Sequence, residues 1–147
     1  MSPSATRSCR NRAGTIRLRM ATFEDVARYA LALPEVTEGE RHGGRTWAVA
    51  GKVFAWERPF SKADLRRFGS ETPPNGPIVA VSVESLGEKE AVLSAGMNGF
   101  FTIPHFDGYA AVLIQLNRVA KRDLKEAVID GWSAQVPPHL AAGHVRR

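Results

Sequence analysis

The side chains able to do chemistry are few and widely spaced in this sequence. The four histidines, His42, His105, His139 and His144, stand apart, with no H-x-x-x-H or comparable spacing that would hold a metal. His105 and Asp107 sit two apart in the stretch PHFDG, so on extended chain they would share a face. That pairing could serve proton transfer or metal binding; a turn histidine bonded to backbone explains the same residues. The single cysteine, Cys9, lies near the start of the chain, which excludes a disulfide, a cysteine zinc site or a catalytic thiol within residues 20–142. No Gly-rich phosphate loop, nucleophile elbow or carboxylate pair occurs. The residues argue against an enzyme and call for no cofactor and no metal.

Binding is a better match to the remaining side chains. Lys52, Arg58, Lys62, Arg66 and Arg67 cluster within 16 positions and can form a basic strip that contacts phosphates. Glu57 and Asp64 are interleaved with them, so an ordinary solvated face is the competing account. Trp47, Phe54 and Trp56 can stack on bases or fill a core. A second grouping, Trp47, Trp56, His105, Asp107 and Tyr109, would line an aromatic pocket for a small ligand or a protein.

The formal net charge of +5 has a local origin. Five of the 20 basic side chains (Arg7, Arg10, Arg12, Arg17 and Arg19) fall within residues 1–19, which contain no acid. Residues 20–147 therefore carry 15 basic and 15 acidic side chains and are formally neutral. The basic character gives no evidence for a positive face on the domain. Residues 1–19 lack the apolar core of a secretory signal. They read as a disordered extension, as sequence upstream of a start at Met20, or as a basic arm that touches nucleic acid. No stretch approaches the roughly 18 apolar residues of a membrane span. A reducing, cytoplasmic setting and a monomer are the expectation.

These side chains are carried by a simple alternation of elements. The hairpin Thr46–Glu57, turning at Ala50-Gly51, reads as the nucleus of a small sheet. Its return strand would put Lys52, Phe54 and Trp56 on one face and Val53 and Ala55 on the other. Before it, Thr22 and Asp25 mark a capped helix over about Phe23–Leu33, with Phe23, Val26, Ala27, Ala30 and Leu31 as its buried stripe. Glu35–Arg45 reads as a loop or edge strand. After the hairpin, Ser61 and Asp64 cap a short helix ending at Gly69, with Leu65 and Phe68 inward. Residues 70–77 form a Pro-rich loop. A strand over Ile78–Val83 follows, then a helix over Leu86–Ala95 with Leu86, Glu90 and Leu93 at helical spacing. Short strand Phe100–Ile103, a turn at Pro104–Gly108, strand Ala110–Leu116 and a helix over about Lys121–Gln135 complete the order. The last helix has Leu124, Ala127, Val128 and Trp132 as its stripe. The expected fold is α+β: a two-layer antiparallel sheet covered by the N- and C-terminal helices. Residues 20–142 would form one domain, with tails at 1–19 and 143–147.

Several of these features, in this order, resemble the MmcQ/YjbR family over roughly residues 21–142. They are the ALxLP end of the first helix, the hairpin AGKVFAW, the PH turn before an apolar strand, and the Trp-bearing last helix. The resemblance implies a frataxin/CyaY-like, double-wing fold and DNA as partner. Its wings would be Thr46–Glu57 and Phe100–Leu116, and Lys52 and His105 would match the family's hairpin lysine and turn histidine. Here His105 is followed by Phe106-Asp107-Gly108-Tyr109, where many members carry basic residues and a tryptophan. The function implied is DNA binding with little sequence preference, against the alternative of a small-ligand or protein-binding module.

Overall fold

A computed structural model describes residues 20–141. The expectations for the two tails, 1–19 and 143–147, lie outside these residues. Helix α1, Phe23–Leu31, begins at the predicted capping box: Thr22 Oγ1 accepts from the Asp25 N–H, and the Asp25 carboxylate accepts from the Thr22 N–H at 2.9 Å. Val26, Ala27 and Ala30 are buried, whereas Leu31 is exposed. Leu31 is the last residue of the helix, which stops two residues short of the expected Leu33.

Six strands form one antiparallel sheet in the order β1-β2-β3-β4-β6-β5. They are β1 Val36–Arg41, β2 Gly44–Val49, β3 Lys52–Glu57, β4 Ile78–Ser82, β5 Phe100–Phe101 and β6 Ala111–Gln115. Glu35–Arg45 supplies the edge strand β1 and the turn into β2, so two hairpins follow one another. Both turns place two residues at positive φ, His42-Gly43 and Ala50-Gly51, the twist that two-residue antiparallel turns favour. Helix α2, Lys62–Phe68, and helix α3, Leu86–Ser94, flank β4 in sequence. The long helix α4, Lys121–Gln135, and the short α5, Pro138–Ala141, close the described chain.

The main core lies between the sheet and the pair α1/α4. Trp47, Phe54, Val79, Val81, Val112 and Ile114 meet Val26, Leu124, Val128 and Trp132 there. The Trp132 indole N–H donates to the Pro34 carbonyl at 3.0 Å, tying α4 to the loop after α1. This is the expected layer, N- and C-terminal helices on one face. A second, smaller cluster covers part of the opposite face, where Ile78, Ala80, Ile103, Phe106 and Leu113 pack with Trp56, Phe60 and Phe68. Leu65, expected inward on α2, is exposed, and the buried residue there is Asp64.

One irregularity decides which aromatic goes where. β2 and β3 pair as Thr46↔Trp56, Trp47↔Ala55, Ala48↔Val53 and Val49↔Lys52, so Phe54 is an extra residue with no opposite partner. The bulge inverts the alternation at that point. Phe54 joins Trp47 in the helix-covered core, and Trp56 turns to the other face. The expectation that Phe54 and Trp56 share a face is therefore corrected.

Candidate nucleic-acid interface

The face of the sheet away from α1 and α4 carries a groove of about 650 Å³. The β1–β2 turn contributes Arg41 and His42 to it, β3 contributes Val53, Trp56 and Glu57, and Arg58 and Ser61 follow. A single 3-10 turn, Pro104–Phe106, and the residues after it bring His105 and Tyr109 to the opposite wall. Trp56 stacks on Phe106 with ring centroids 6.4 Å apart and an interplanar angle of 21°, and Tyr109 lies 6.3 Å away. Four cationic or titratable nitrogen bases, Arg41, His42, Arg58 and His105, thus surround an aromatic floor with Glu57 as the acid among them.

Arg58 has a structural job within this wall. Its guanidinium contacts Asp64 Oδ2 at 2.9 Å, lies over the Phe106 ring, and donates to the Pro59 carbonyl. Asp64 also caps α2, accepting from the Ser61 N–H at 2.9 Å while Ser61 Oγ accepts from the Asp64 N–H. Burial pushes the Asp64 carboxyl up, but the Ser61 and Arg58 hydrogen bonds outweigh it and hold the group below the usual carboxylate range. Arg67 reaches the other Asp64 oxygen at 3.7 Å.

The turn that carries His105 and Tyr109 is held from behind by a residue that sequence reasoning missed. Lys89 of α3 is buried, and its Nζ donates to the Phe106 carbonyl at 2.6 Å and to the Tyr109 carbonyl at 2.9 Å. Burial lowers the Lys89 pKa, partly offset by the Asp107 charge. Leu86, which helical spacing put in a stripe, is exposed instead.

The match to the YjbR family profile spans residues 31–134, from the end of α1 through most of α4. The chain belongs to the YjbR family. The uncharacterised protein Rv2570 of Mycobacterium tuberculosis is 45% identical over 124 residues, covering 82% of this chain and 93% of its own length. The uncharacterised protein Mb2600 of Mycobacterium bovis matches with the same identity and coverage. No solved structure matches the chain significantly.

On this YjbR fold the two expected hairpins are both present, β2–β3 and the pairing of β5 with β6. Of the five aromatic-pocket residues, Trp56, His105 and Tyr109 converge on the groove. Trp47 does not: it is fully buried in the main core, its indole N–H donating to Glu38 Oε1 at 3.0 Å, because the strand pleat aims it at the helices. Asp107 does not either; it faces α3, beside Lys89, since the 3-10 turn breaks the alternation that would have kept it with His105. Of the basic strip, Lys52 is exposed at the β2–β3 tip, Lys62, Arg66 and Arg67 are exposed on α2, and Arg58 is engaged as described. Arg41 and His42 are groove residues from the segment Glu35–Arg45, expected only as a loop or edge strand. Their signal was the His42-Gly43 turn, which reads as a hairpin once β1 is recognised.

Proposed function

We propose that this protein binds DNA with little sequence preference, across the groove bounded by the two N-terminal hairpins and the Pro104–Tyr109 turn. The observation carrying this reading is the groove's lining: Arg41, His42, Arg58 and His105 around Trp56 and Tyr109, with one acid. Phosphates favour the first set and base faces the second. Residues 20–147 are formally neutral, so the binding would depend on where the cations sit. Lys52 lies at one end of β3 and Arg58 just past the other, about 20 Å apart at ~3.3 Å per residue. Lys62, Arg66 and Arg67 are exposed on the helix that starts just after Ser61, a groove residue. At ~3.4 Å per phosphate, about six nucleotides of one strand would run between Lys52 and Arg58.

The test is fluorescence anisotropy of labelled duplex and single-stranded DNA across a salt series. With three to five phosphate contacts, log K should fall against log salt with a slope of about −3 to −4.5 on duplex. Lys62→Ala/Arg66→Ala should make the slope about 2 units shallower, and Tyr109→Ala should weaken single-strand binding without altering it. Binding that ignores salt, or that survives all three changes, overturns the reading. The groove's volume also lies in the ~300–1,000 Å³ range of small-molecule sites, which favours an anionic aromatic ligand as a second reading. Salt-indifferent binding of a mononucleotide would be its signature.

A further inference from the structure

The helix-covered face of the sheet is left open at one place. Between α3 and α4 lies a second groove of about 310 Å³, floored by Val81, Val112, Phe100 and Ala127. Phe100 and Ala127 are only partly buried, so the core does not seal this apolar surface. No Lys or Arg among the described residues lines the groove, but carboxylates stand on both sides of it. Glu84 and Glu88 lie where α3 begins, and Asp123 lies where α4 begins. Glu126 and Asp130, farther along the α4 wall, have contacts of their own. Glu88 and Asp123 sit in the first turns of their helices, where the dipole favours an acid. The dipole accounts neither for Glu84, which precedes α3, nor for the uncovered floor between the acids.

A ligand complementary to this lining has cationic ends and an apolar middle. One ammonium would meet Glu84 and Glu88, another would meet Asp123, and methylenes would cover the floor between them. A singly charged amine would satisfy one wall only. A metal ion needs oxygens that converge on one point, whereas these stand on opposite walls with hydrocarbon between. Among the described residues no group of three or more His, Cys, Asp or Glu is placed to hold one. Size narrows the class further. At ~30 Å³ per heavy atom in a liquid, a groove of 310 Å³ holds about ten such atoms, too few for a folded partner. We propose that this groove binds a linear polyamine of about the size of spermidine, stretched from Glu84 and Glu88 to Asp123. The site lies on the face opposite the aromatic groove and does not depend on the DNA reading.

The test titrates the DNA-free full chain at low salt and follows the methyl signals of Val81, Val112 and Ala127 by NMR. Spermidine and putrescine should each shift these methyls through one saturable site. Both should bind at least about fivefold more tightly than butylamine or magnesium, the size of one partly exposed ion pair. Glu88→Gln and Asp123→Asn should each weaken spermidine by about the same fivefold. Ala127→Leu keeps the charges and a good helix former but fills the groove, so it should abolish the methyl shifts. The two carboxamide variants stand at positions outside the core and carry the test even if Ala127→Leu repacks the helix. Magnesium binding as tightly as spermidine overturns the proposal, because any cation would then serve. Butylamine binding as tightly as putrescine also overturns it, because the second wall would then be idle. So does a spermidine titration that leaves the floor methyls unmoved, or one that survives either carboxamide change unaltered.

Discussion

The Lys89 ammonium and the Phe106 carbonyl meet at 2.6 Å across 17 residues of chain, and this contact holds one wall of the aromatic groove. The second bond, to the Tyr109 carbonyl, fixes the same turn at its far end. A buried cation bonded only to main-chain oxygens trades desolvation against hydrogen bonding, so its net contribution to stability is small. Lys89→Met should therefore change unfolding free energy by less than about 1.5 kcal/mol while loosening the turn. Hydrogen exchange at the Tyr109 N–H, which donates to the Phe106 carbonyl, should accelerate. The pH signature follows from linkage. The folded pKa lies below the ordinary lysine value, so on approaching that value the unfolded chain binds more protons and wild-type stability rises with pH. Lys89→Met should lose that alkaline rise relative to wild type in urea titrations.

Arg58 and Asp64 form the other internal anchor of the groove, with side chains that are 16% and 1% exposed. Arg58→Ala would leave a buried carboxylate with its capping bonds but without its nearest cation. A loss of about 3 kcal/mol is expected at pH 7. Asp64 has a folded pKa below its ordinary 3.8, so its contribution is complete above about pH 4 and is lost as pH falls through the folded value. The difference between wild type and Arg58→Ala should accordingly shrink below pH 4. A constant difference down to pH 2 would mean that the guanidinium acts by packing on Phe106 alone.

The strands and helices were legible where periodicity is local. The apolar runs of β4 and β6, the Leu124–Val128–Trp132 stripe of α4 and both capping boxes follow from residues within a few positions of one another. The groove was legible only in part, because its defining features depend on contacts between distant segments. Trp56, His105 and Tyr109 were found by chemistry and position near turns. The division of Trp47 and Phe54 from Trp56 was not, since a single inserted residue in β3 reverses a period-2 pattern without altering composition. Lys89 could not be recognised at all: its partners are carbonyls that every residue carries.

The turn at Ala50-Gly51 carries a local mismatch between residue and conformation. Ala50 has φ of +52°, a region costing an L-residue with a Cβ roughly 1–2 kcal/mol. Ala50→Asn should recover about 0.5–1 kcal/mol, because Asn-Gly is the preferred sequence for this turn. Gly51 has φ of +79°, so Gly51→Ala should cost about 1 kcal/mol, although nothing lies within 4 Å of the added Cβ. Urea midpoints of the two variants should move in opposite directions. Movement of both the same way would show that the turn adopts another type.

Gly131 is an apparent weakness in α4 that the packing requires. A glycine inside a helix is about 1 kcal/mol less favourable than alanine, so Gly131→Ala would raise stability if propensity decided. Yet a Cβ there would stand 2.7 Å from Val81 Cγ1, 3.1 Å from the Phe54 carbonyl and 3.2 Å from the Ser82 carbonyl. Two of these neighbours are backbone of β3 and β4 and cannot rotate away. The helix must lift from the sheet at the centre of the main core, against the contacts of Trp132 and Val128. Gly131→Ala should thus destabilise by about 1–3 kcal/mol. Ser133→Ala, at an exposed position on the same helix, is the control and should gain a few tenths of a kcal/mol. Equal gains for both in urea unfolding would show that α4 is free to move outward; opposite signs would show that the close approach at Gly131 fixes the spacing between helix and sheet.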